Sequence, residues 1–198
     1  MANVSFNPGL TTSPVTTFLS TTQGYVQGDF VDDPSTRMYL NSGLVAASVT
    51  QPVWGGMALS ESVSATGEGA LGTSLALATT VANTTGFSVF TQGYNMILVP
   101  GNSVQTAVAG MTLPFFRVGS GARIKVQCSS ALLTAIESGL INQQVQWDYT
   151  SQQLVPYVSG TALPVQVLSA SANSQIVSYN SGTGAVTWTS GDVAVILI

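Results

Sequence analysis

Turn-forming residues interrupt the chain at short intervals after residue 23, and this spacing limits the possible fold more than any other feature. Runs such as LVAASV, FSVF, YNMILV and FFRV are rich in β-branched and aromatic residues, and they are bounded by Gly, Pro or Asn. The turn signals recur about every 8 to 12 residues, a spacing typical of sandwiches and barrels. We therefore predict an all-β fold, mainly an antiparallel β-sandwich or barrel.

The sequence also predicts which strands are neighbours. The run RVGSGARIKVQC predicts a hairpin, because Gly119-Ser120-Gly121 joins two β-rich segments. QVQWDY and QLVPYV flank Thr150-Ser151 as a second hairpin, and STRMYL is predicted to be a strand before LVAASV. Near the C-terminus, QIVSY, AVTW and VAVILI are predicted to be three strands, separated by the turns NSGTG and TSGD.

One short helix is predicted over ALLTAIES. Ser129 or Ser130 provides its N-cap, and Gly139 stands where a left-handed residue ends a helix. The apolar side chains with helical spacing on one face are Leu132, Leu133 and Ile136. Residues 71–82 are compatible with either a helix or a strand, because their threonines favour neither.

Residues 1–22 are predicted to form an extended N-terminal arm, followed by a single β-rich domain over residues 23–198. The arm has two prolines, six threonines, no charge and no sustained periodicity. It also carries apolar side chains that a linker in solvent does not need, namely Phe6, Leu10, Phe18 and Leu19. We interpret these as contacts with a neighbouring subunit. The alternative is a disordered tail.

Charged residues are scarce: Lys+Arg number 4, Asp+Glu number 8, and there is no His. Charged residues make up 6% of the chain, against about 25% in an average soluble domain. Four cations are too few to neutralise a phosphate backbone, so nucleic acid is not an expected partner. No apolar run approaches the ~20 residues of a membrane helix, so we expect no membrane partner. Because the first basic residue is Arg37, we also expect no secretory signal peptide.

Residues 69–116 contain no charged side chain at all. One explanation is a surface covered by neutral polar groups such as Ser, Thr, Asn and Gln. The other is burial against further protein chains, because charged residues are depleted at protein interfaces. The second explanation predicts a homo-oligomer, a dimer or a trimer.

Catalytic, metal and cofactor sites are not expected. Without His, the Ser-His-Asp and Cys-His arrangements lack their base, and zinc sites lack a common ligand. Asp29, Asp32 and Asp33 cluster but miss the ligand spacing of a calcium loop. Residues 67–72 match GxGxxG, but no acidic residue follows about 20 positions later to hold a ribose. Cys128 is the single cysteine, so no disulfide forms within the chain.

Three of the four cations, Arg117, Arg123 and Lys125, lie within nine residues. Strand alternation places Arg123 and Lys125 on the same face. This arrangement has three interpretations: a solvated strand face, a small basic patch for carboxylates of a partner, or an internal pairing of Arg123 with Asp148 or Glu137.

Four segments of the chain stand out together: the arm NPGLTTSP, the segment QPVWGGMALSES, the Gly/Ala/Thr-rich middle, and PFFRVGSGARIKV with the following short helix and WDYTSQQL. In combination they resemble the head decoration, or cement, proteins of tailed bacteriophages. The resemblance is compositional and architectural and covers most of the chain. It implies a structural virion protein, made in the host cytoplasm, that binds the major capsid protein on the outer capsid surface.

The same resemblance implies that the protein acts as an oligomer, reinforces contacts between capsomers, and has no catalytic residues and no cofactor. The alternative is another virion β-module from a tail, a baseplate, or a receptor- or carbohydrate-binding protein. Trp147-Asp148-Tyr149 is the candidate for a sugar-binding loop in that case.

Overall fold

The computed structural model describes residues 24–31, 34–63, 73–90, 104–140 and 142–198. The described strands are β1 (Asn41–Val45), β2 (Ala58–Val63), β3 (Thr73–Leu77), β4 (Gly86–Ser88), β5 (Thr112–Arg117), β6 (Arg123–Gln127), β7 (Val145–Asp148), β8 (Gln153–Pro156), β9 (Gln166–Asn180) and β10 (Ala185–Leu197). The helices are α1 (Pro34–Arg37) and α2 (Ser130–Glu137), and Val81–Asn83 form a 3₁₀ turn. The predicted all-β fold is confirmed, and α2 is the predicted short helix, whereas the sequence does not predict the single turn α1. The arm and YNMILV lie outside the described residues.

The first five strands form a closed barrel in the order β1-β3-β2-β4-β5, with β5 pairing back to β1. Strands β1 and β3 run parallel, and every other pair in the barrel is antiparallel. Closure leaves no unpaired strand edge in the barrel. Each strand of the barrel is therefore held in register by a neighbour on both sides.

The remaining strands form a three-stranded sheet, β6-β10-β9, and a two-stranded sheet, β7-β8. One apolar core fills the barrel with alternate residues of its strands, including Leu59, Leu75 and Phe115. A second core lies between the outer side of β4 and β5, the three-stranded sheet and α2, and includes Phe87, Phe116, Ile124, Leu132 and Ile196. One side of the barrel is thus buried against the rest of the chain.

Helix α2 forms as its sequence predicts. Ser129 is the N-cap, and its hydroxyl oxygen accepts a hydrogen bond from the N–H of Leu132 at 3.3 Å. Gly139 has φ +97° just after the helix, the left-handed conformation that glycine adopts most readily. The three apolar residues predicted to share one helix face, Leu132, Leu133 and Ile136, are all buried.

The predicted hairpin across Gly119-Ser120-Gly121 is wrong. Strand β5 pairs with β1 and β4 in the barrel, whereas β6 pairs with β10. Both edges of β5 are already occupied, so the chain leaves the barrel through Gly119 and Gly121, whose φ values are +89° and +74°. It then joins the end of the chain, where the N–H of Gly121 donates to the carbonyl of Ile198 at 2.7 Å.

Other local predictions have mixed outcomes. The β7–β8 hairpin is confirmed, and residues 71–82 contain β3 and the first two residues of the 3₁₀ turn. STRMYL is not a strand, because Pro34–Arg37 are helical, and NSG lies inside β1 rather than in a turn. NSGTG does connect β9 to β10. TSGD does not end a strand, because β10 continues through it with a shift of register between Gly191 and Val193.

Residues 25–31 form a strap that contacts both edges of the three-stranded sheet. Val26 makes a parallel bridge to Gln175 on β9, and Phe30 makes an antiparallel bridge to Ile124 on β6. At Gly28 the strap crosses the chain at Gly55, and a Cβ atom on Gly28 would lie 2.4 Å from the Cα of Gly55. This close approach joins the sheet to the barrel.

Candidate functional site

The outward positions of β1, β2, β3 and β5 form a continuous surface on the side of the barrel away from the second core. Alternate residues of a barrel strand point outward. Leu44 is paired with Ser74 and Thr112, and Ser74 is paired with Ser62, so the positions are contiguous across four strands. We call this surface the barrel wall, and it consists of Ser42, Leu44, Ser60, Ser62, Ser74, Ala76, Thr112 and Pro114.

The barrel wall contains no charged side chain, and large apolar groups are exposed at its end. Leu44 is 50% exposed, and next to it Met111 and Val108 are 49% and 46% exposed. The N–H of Val45 donates to the carbonyl of Met111 at 2.9 Å, which holds this turn against β1. The described part of the uncharged stretch 69–116 therefore has two kinds of surroundings. Some of its side chains point into the barrel or the second core, and others contribute to an exposed neutral surface. Such a surface can contact another protein without removing charges from water.

Arg117 closes one end of the barrel. It lies on the same face of β5 as Leu113 and Phe115, the face that points into the barrel. Its guanidinium lies 5.7 Å from the centre of the Phe115 ring. Its Nε and Nη2 donate to the two carboxylate oxygens of Glu61 at 2.7 and 2.6 Å, and Nη1 donates to Oδ1 of Asn41 at 3.0 Å. We call this cluster the barrel mouth.

Glu61 is held in its charged form at the barrel mouth. The hydrogen bonds from Arg117 lower the pKa of its carboxyl group, and the hydroxyl of Thr73, which donates at 3.0 Å, acts in the same direction. Partial burial raises the pKa but does not outweigh these bonds. Arg117 is thus satisfied within its own subunit, although its side chain is 49% exposed.

Lys125 is also paired internally. Its Nζ lies 2.5 Å from Oδ2 of Asp29 in the strap, and it lies 6.0 Å from the centre of the Tyr25 ring. The backbone of the same residue donates to the carbonyl of Asp29 at 2.9 Å. Lys125 therefore fastens the strap to β6.

Arg123 is the remaining member of the predicted basic patch. Its side chain is exposed, whereas Ile124 beside it is fully buried, as the strand alternation predicts. Among the described residues Arg123 has no ion pair, and the predicted pairing with Asp148 or Glu137 is not found. Asp148 instead accepts hydrogen bonds from Thr150 and Ser151 in its own turn. Of the three cations, Arg123 is the one that forms no ion pair within the described ranges.

The structure does not test several other candidates from the sequence. Phe6, Leu10, Phe18 and Leu19 lie outside the described residues, as do Asp32 and Asp33. In the described ranges no three potential metal ligands come together, and no described helix has the length and hydropathy to cross a membrane.

The proposed sugar-binding loop is not an exposed aromatic platform. Trp147 is buried, packs edge-on against Phe87 at 5.2 Å, and donates its Nε1–H to Gln152 at 3.2 Å. The hydroxyl of Tyr149 is hydrogen-bonded to that of Thr84 at 2.7 Å. Both rings therefore serve packing within the chain rather than stacking on a sugar.

Comparisons with known proteins give no assignment. No protein-family model matches the chain, and neither a curated protein nor a solved structure matches it.

Proposed function

We propose that this protein is a structural component of a tailed-phage virion that binds the outer surface of the capsid and reinforces contacts between capsomers. Its partners in this role are the major capsid protein and further copies of itself, as a dimer or a trimer. The role requires binding but no reaction, so it needs neither a cofactor nor a catalytic group. The protein is then made in the host cytoplasm and ends in the virion.

The observation that carries the proposal is the barrel wall, an exposed neutral surface on a closed barrel. The barrel wall spans four strands that lie about 4.8 Å apart, so it is about 14 Å wide. A patch of this size is well below the ~800 Å² per partner of a stable pairwise interface. A single contact of this kind is weak, but a dimer or trimer presents two or three of them to a symmetric lattice, and once one has bound the others act at a high effective concentration. The resemblance to decoration proteins supports the same role.

The test is co-sedimentation of the purified protein with undecorated phage capsids. Wild-type protein is expected to pellet with the capsids at a fixed ratio of copies per capsomer. A barrel-wall variant, Ser62→Lys with Ser74→Lys, is expected to bind at least tenfold more weakly, because both ammonium groups must lose water at the interface. Its matched control is Ser178→Lys with Ser181→Lys, exposed positions on β9 and in its turn to β10.

Two outcomes contradict the proposal and one supports it. If wild-type protein does not pellet with capsids, the virion role is wrong. If the wild type and both variants pellet equally, the barrel wall is not the contact surface. Loss of binding in the barrel-wall variant alone, with all three proteins melting at similar temperatures, supports both the role and the surface.

A further inference from the structure

A groove of about 580 Å³ opens between the start of β9, the end of β10, and the loops at residues 119–121 and 142–144. Its volume lies within the ~300–1,000 Å³ range of ligand pockets. Leu163 and Ile198 contribute buried apolar surface to it, and no charged side chain lines it. The groove therefore favours a ligand that is uncharged and has an apolar group to bury.

The polar lining of the groove consists of side-chain amides. Gln166 donates its Nε2–H to Oδ1 of Asn142 at 2.8 Å, so that pair is satisfied. The Nε2 of Gln143 is shielded from solvent and has no hydrogen-bond partner in the part of the chain that the structure describes. An unpaired buried donor is costly, and a carbonyl oxygen is a suitable acceptor for it. Peptide backbone supplies such carbonyls at every residue.

We propose that, in the free protein, this groove binds the N-terminal arm of the same chain, with Leu10 as the buried group. The arm is as free of charge as the groove, and it carries apolar residues at wide intervals. This inference goes beyond the proposed capsid role and does not depend on it. Contact of the arm with a neighbouring subunit then requires release from the groove.

The start of the described chain places the arm within reach. Tyr25 donates its backbone N–H to the hydroxyl oxygen of Ser174 at 3.0 Å, and Val26 forms a parallel β-bridge with Gln175. Because the bridge is parallel, the residues before Tyr25 are directed toward the start of β9, where Gln166 borders the groove. The eight residues from Gln166 to Ser174 span about 26 Å at ~3.3 Å per residue.

This distance decides which arm residues can enter the groove. Phe18 lies six residues before Gly24, and six extended residues span at most about 22 Å, which is too short. Leu10 lies fourteen residues before Gly24, and fourteen extended residues span up to about 48 Å. Leu10 therefore reaches the groove on a shorter tether than Phe6, whereas Phe18 and Leu19 do not reach it.

The same arithmetic favours the chain's own arm over that of a second copy. A random chain of fourteen residues has an r.m.s. span of about 21 Å, close to the 26 Å that separates Ser174 from Gln166. A tether that matches its span gives an effective concentration in the millimolar range. A second copy at micromolar concentration is therefore at a disadvantage of about a thousandfold.

Disulfide trapping in the full-length protein tests the inference. Thr11→Cys is paired with Ala162→Cys, since Ala162 lines the groove, and the native Cys128 is buried and does not compete. The matched control pairs Thr11→Cys with Ser181→Cys. Ser181 lies in the turn after β9, seven residues beyond Ser174, which is a similar distance in the opposite direction. A second control pairs Thr21→Cys with Ala162→Cys, which lie too far apart.

Under mild oxidation at micromolar protein, the pair Thr11→Cys and Ala162→Cys is expected to form an intramolecular disulfide at least tenfold faster than either control. The rate should not depend on protein concentration, and adding Leu10→Asp should reduce it to that of the Ser181→Cys control. Equal rates for the groove pair and the Ser181→Cys control overturn the inference, as does a disulfide between chains whose rate rises with concentration. Because no capsid is present, failure here leaves the proposed virion role untouched.

Discussion

Arg117 on β5 and Glu61 on β2 form a two-point ion pair across the barrel mouth, although their strands are not neighbours. Strand β4 lies between them, and it begins at Gly86, which pairs with Arg117 on one side and with Leu59 on the other. The arginine side chain thus reaches β2 past a residue that has no side chain. The pair links two strands that backbone hydrogen bonds do not connect.

We expect Arg117→Ala to lower the free energy of unfolding by about 1 kcal/mol at pH 7, because the pair is bidentate but its arginine is half exposed. Arg117→Lys should recover only part of this, since an ammonium group cannot form both bonds. Urea unfolding of the three proteins measures the differences.

The effect of Arg117→Ala should depend on pH. Arg117 lowers the pKa of Glu61 in the folded protein, so the stabilisation is present above the ordinary glutamate pKa of 4.5. It is lost as the pH falls from that value through the folded-state pKa. The gap between wild type and Arg117→Ala should therefore shrink in acid. A gap of the same size at pH 7 and pH 3 contradicts this role of the ion pair.

Only the β5 part of the barrel mouth could be predicted from the sequence. The alternation of Leu113, Phe115 and Arg117 indicates that all three share one face of β5. It does not indicate that this face is the inside of a barrel, because closure depends on pairing between β1 and β5, which are distant in the sequence. Glu61 therefore could not be identified as the partner of Arg117.

The hairpin prediction at Gly119-Ser120-Gly121 failed for a related reason. A glycine-rich link between two β-rich runs is compatible with a hairpin and with a crossover from one sheet to another, and local sequence does not distinguish the two. The groove could not be predicted either, because it is formed by four segments that are far apart in the chain. The helix, by contrast, depends on local capping and spacing, and it was predicted almost to the residue.

Gly28→Ala should destabilise the protein strongly. The residue has φ +83°, and a Cβ atom there would lie 2.4 Å from the Cα of Gly55, so backbone must move. We expect a loss of about 3 kcal/mol or more, in the range of the most damaging single substitutions. Gly119→Ala is the matched control, because its φ of +89° is similar but no atom lies within 4 Å of the added Cβ. The control should lose about 1 kcal/mol, from backbone strain alone. Similar losses in thermal unfolding of the two variants contradict a close contact between strap and barrel.

Cys128 should react slowly with thiol reagents in the folded protein. Burial raises the pKa of its thiol to about 12, and the negative charge of Asp192 adds to the effect. Because the thiolate is the reactive form, labelling with a chromogenic disulfide at pH 8 should be very slow until denaturant is added. The same pKa shift lowers stability as the pH rises above the ordinary thiol value of 9.0, since the unfolded chain then loses its proton first. Rapid native labelling without unfolding contradicts this assignment.

Arg123 and Lys125 share a strand face, but single substitutions should separate their roles. Lys125→Ala removes the ion pair with Asp29, so we expect a loss of about 1.5 kcal/mol and a fall of a few °C in Tm. Arg123→Ala removes an exposed side chain without an ion pair among the described residues, so its Tm should match that of the wild type.

If Arg123 faces carboxylates of the capsid, Arg123→Ala should weaken binding by about 0.2–1 kcal/mol per copy, and added salt should weaken wild-type binding in the same way. Calorimetry and co-sedimentation at two salt concentrations measure both effects. A large fall in the Tm of Arg123→Ala shows that its role is internal, whereas an unchanged Tm for Lys125→Ala shows that the strap is not held by Asp29.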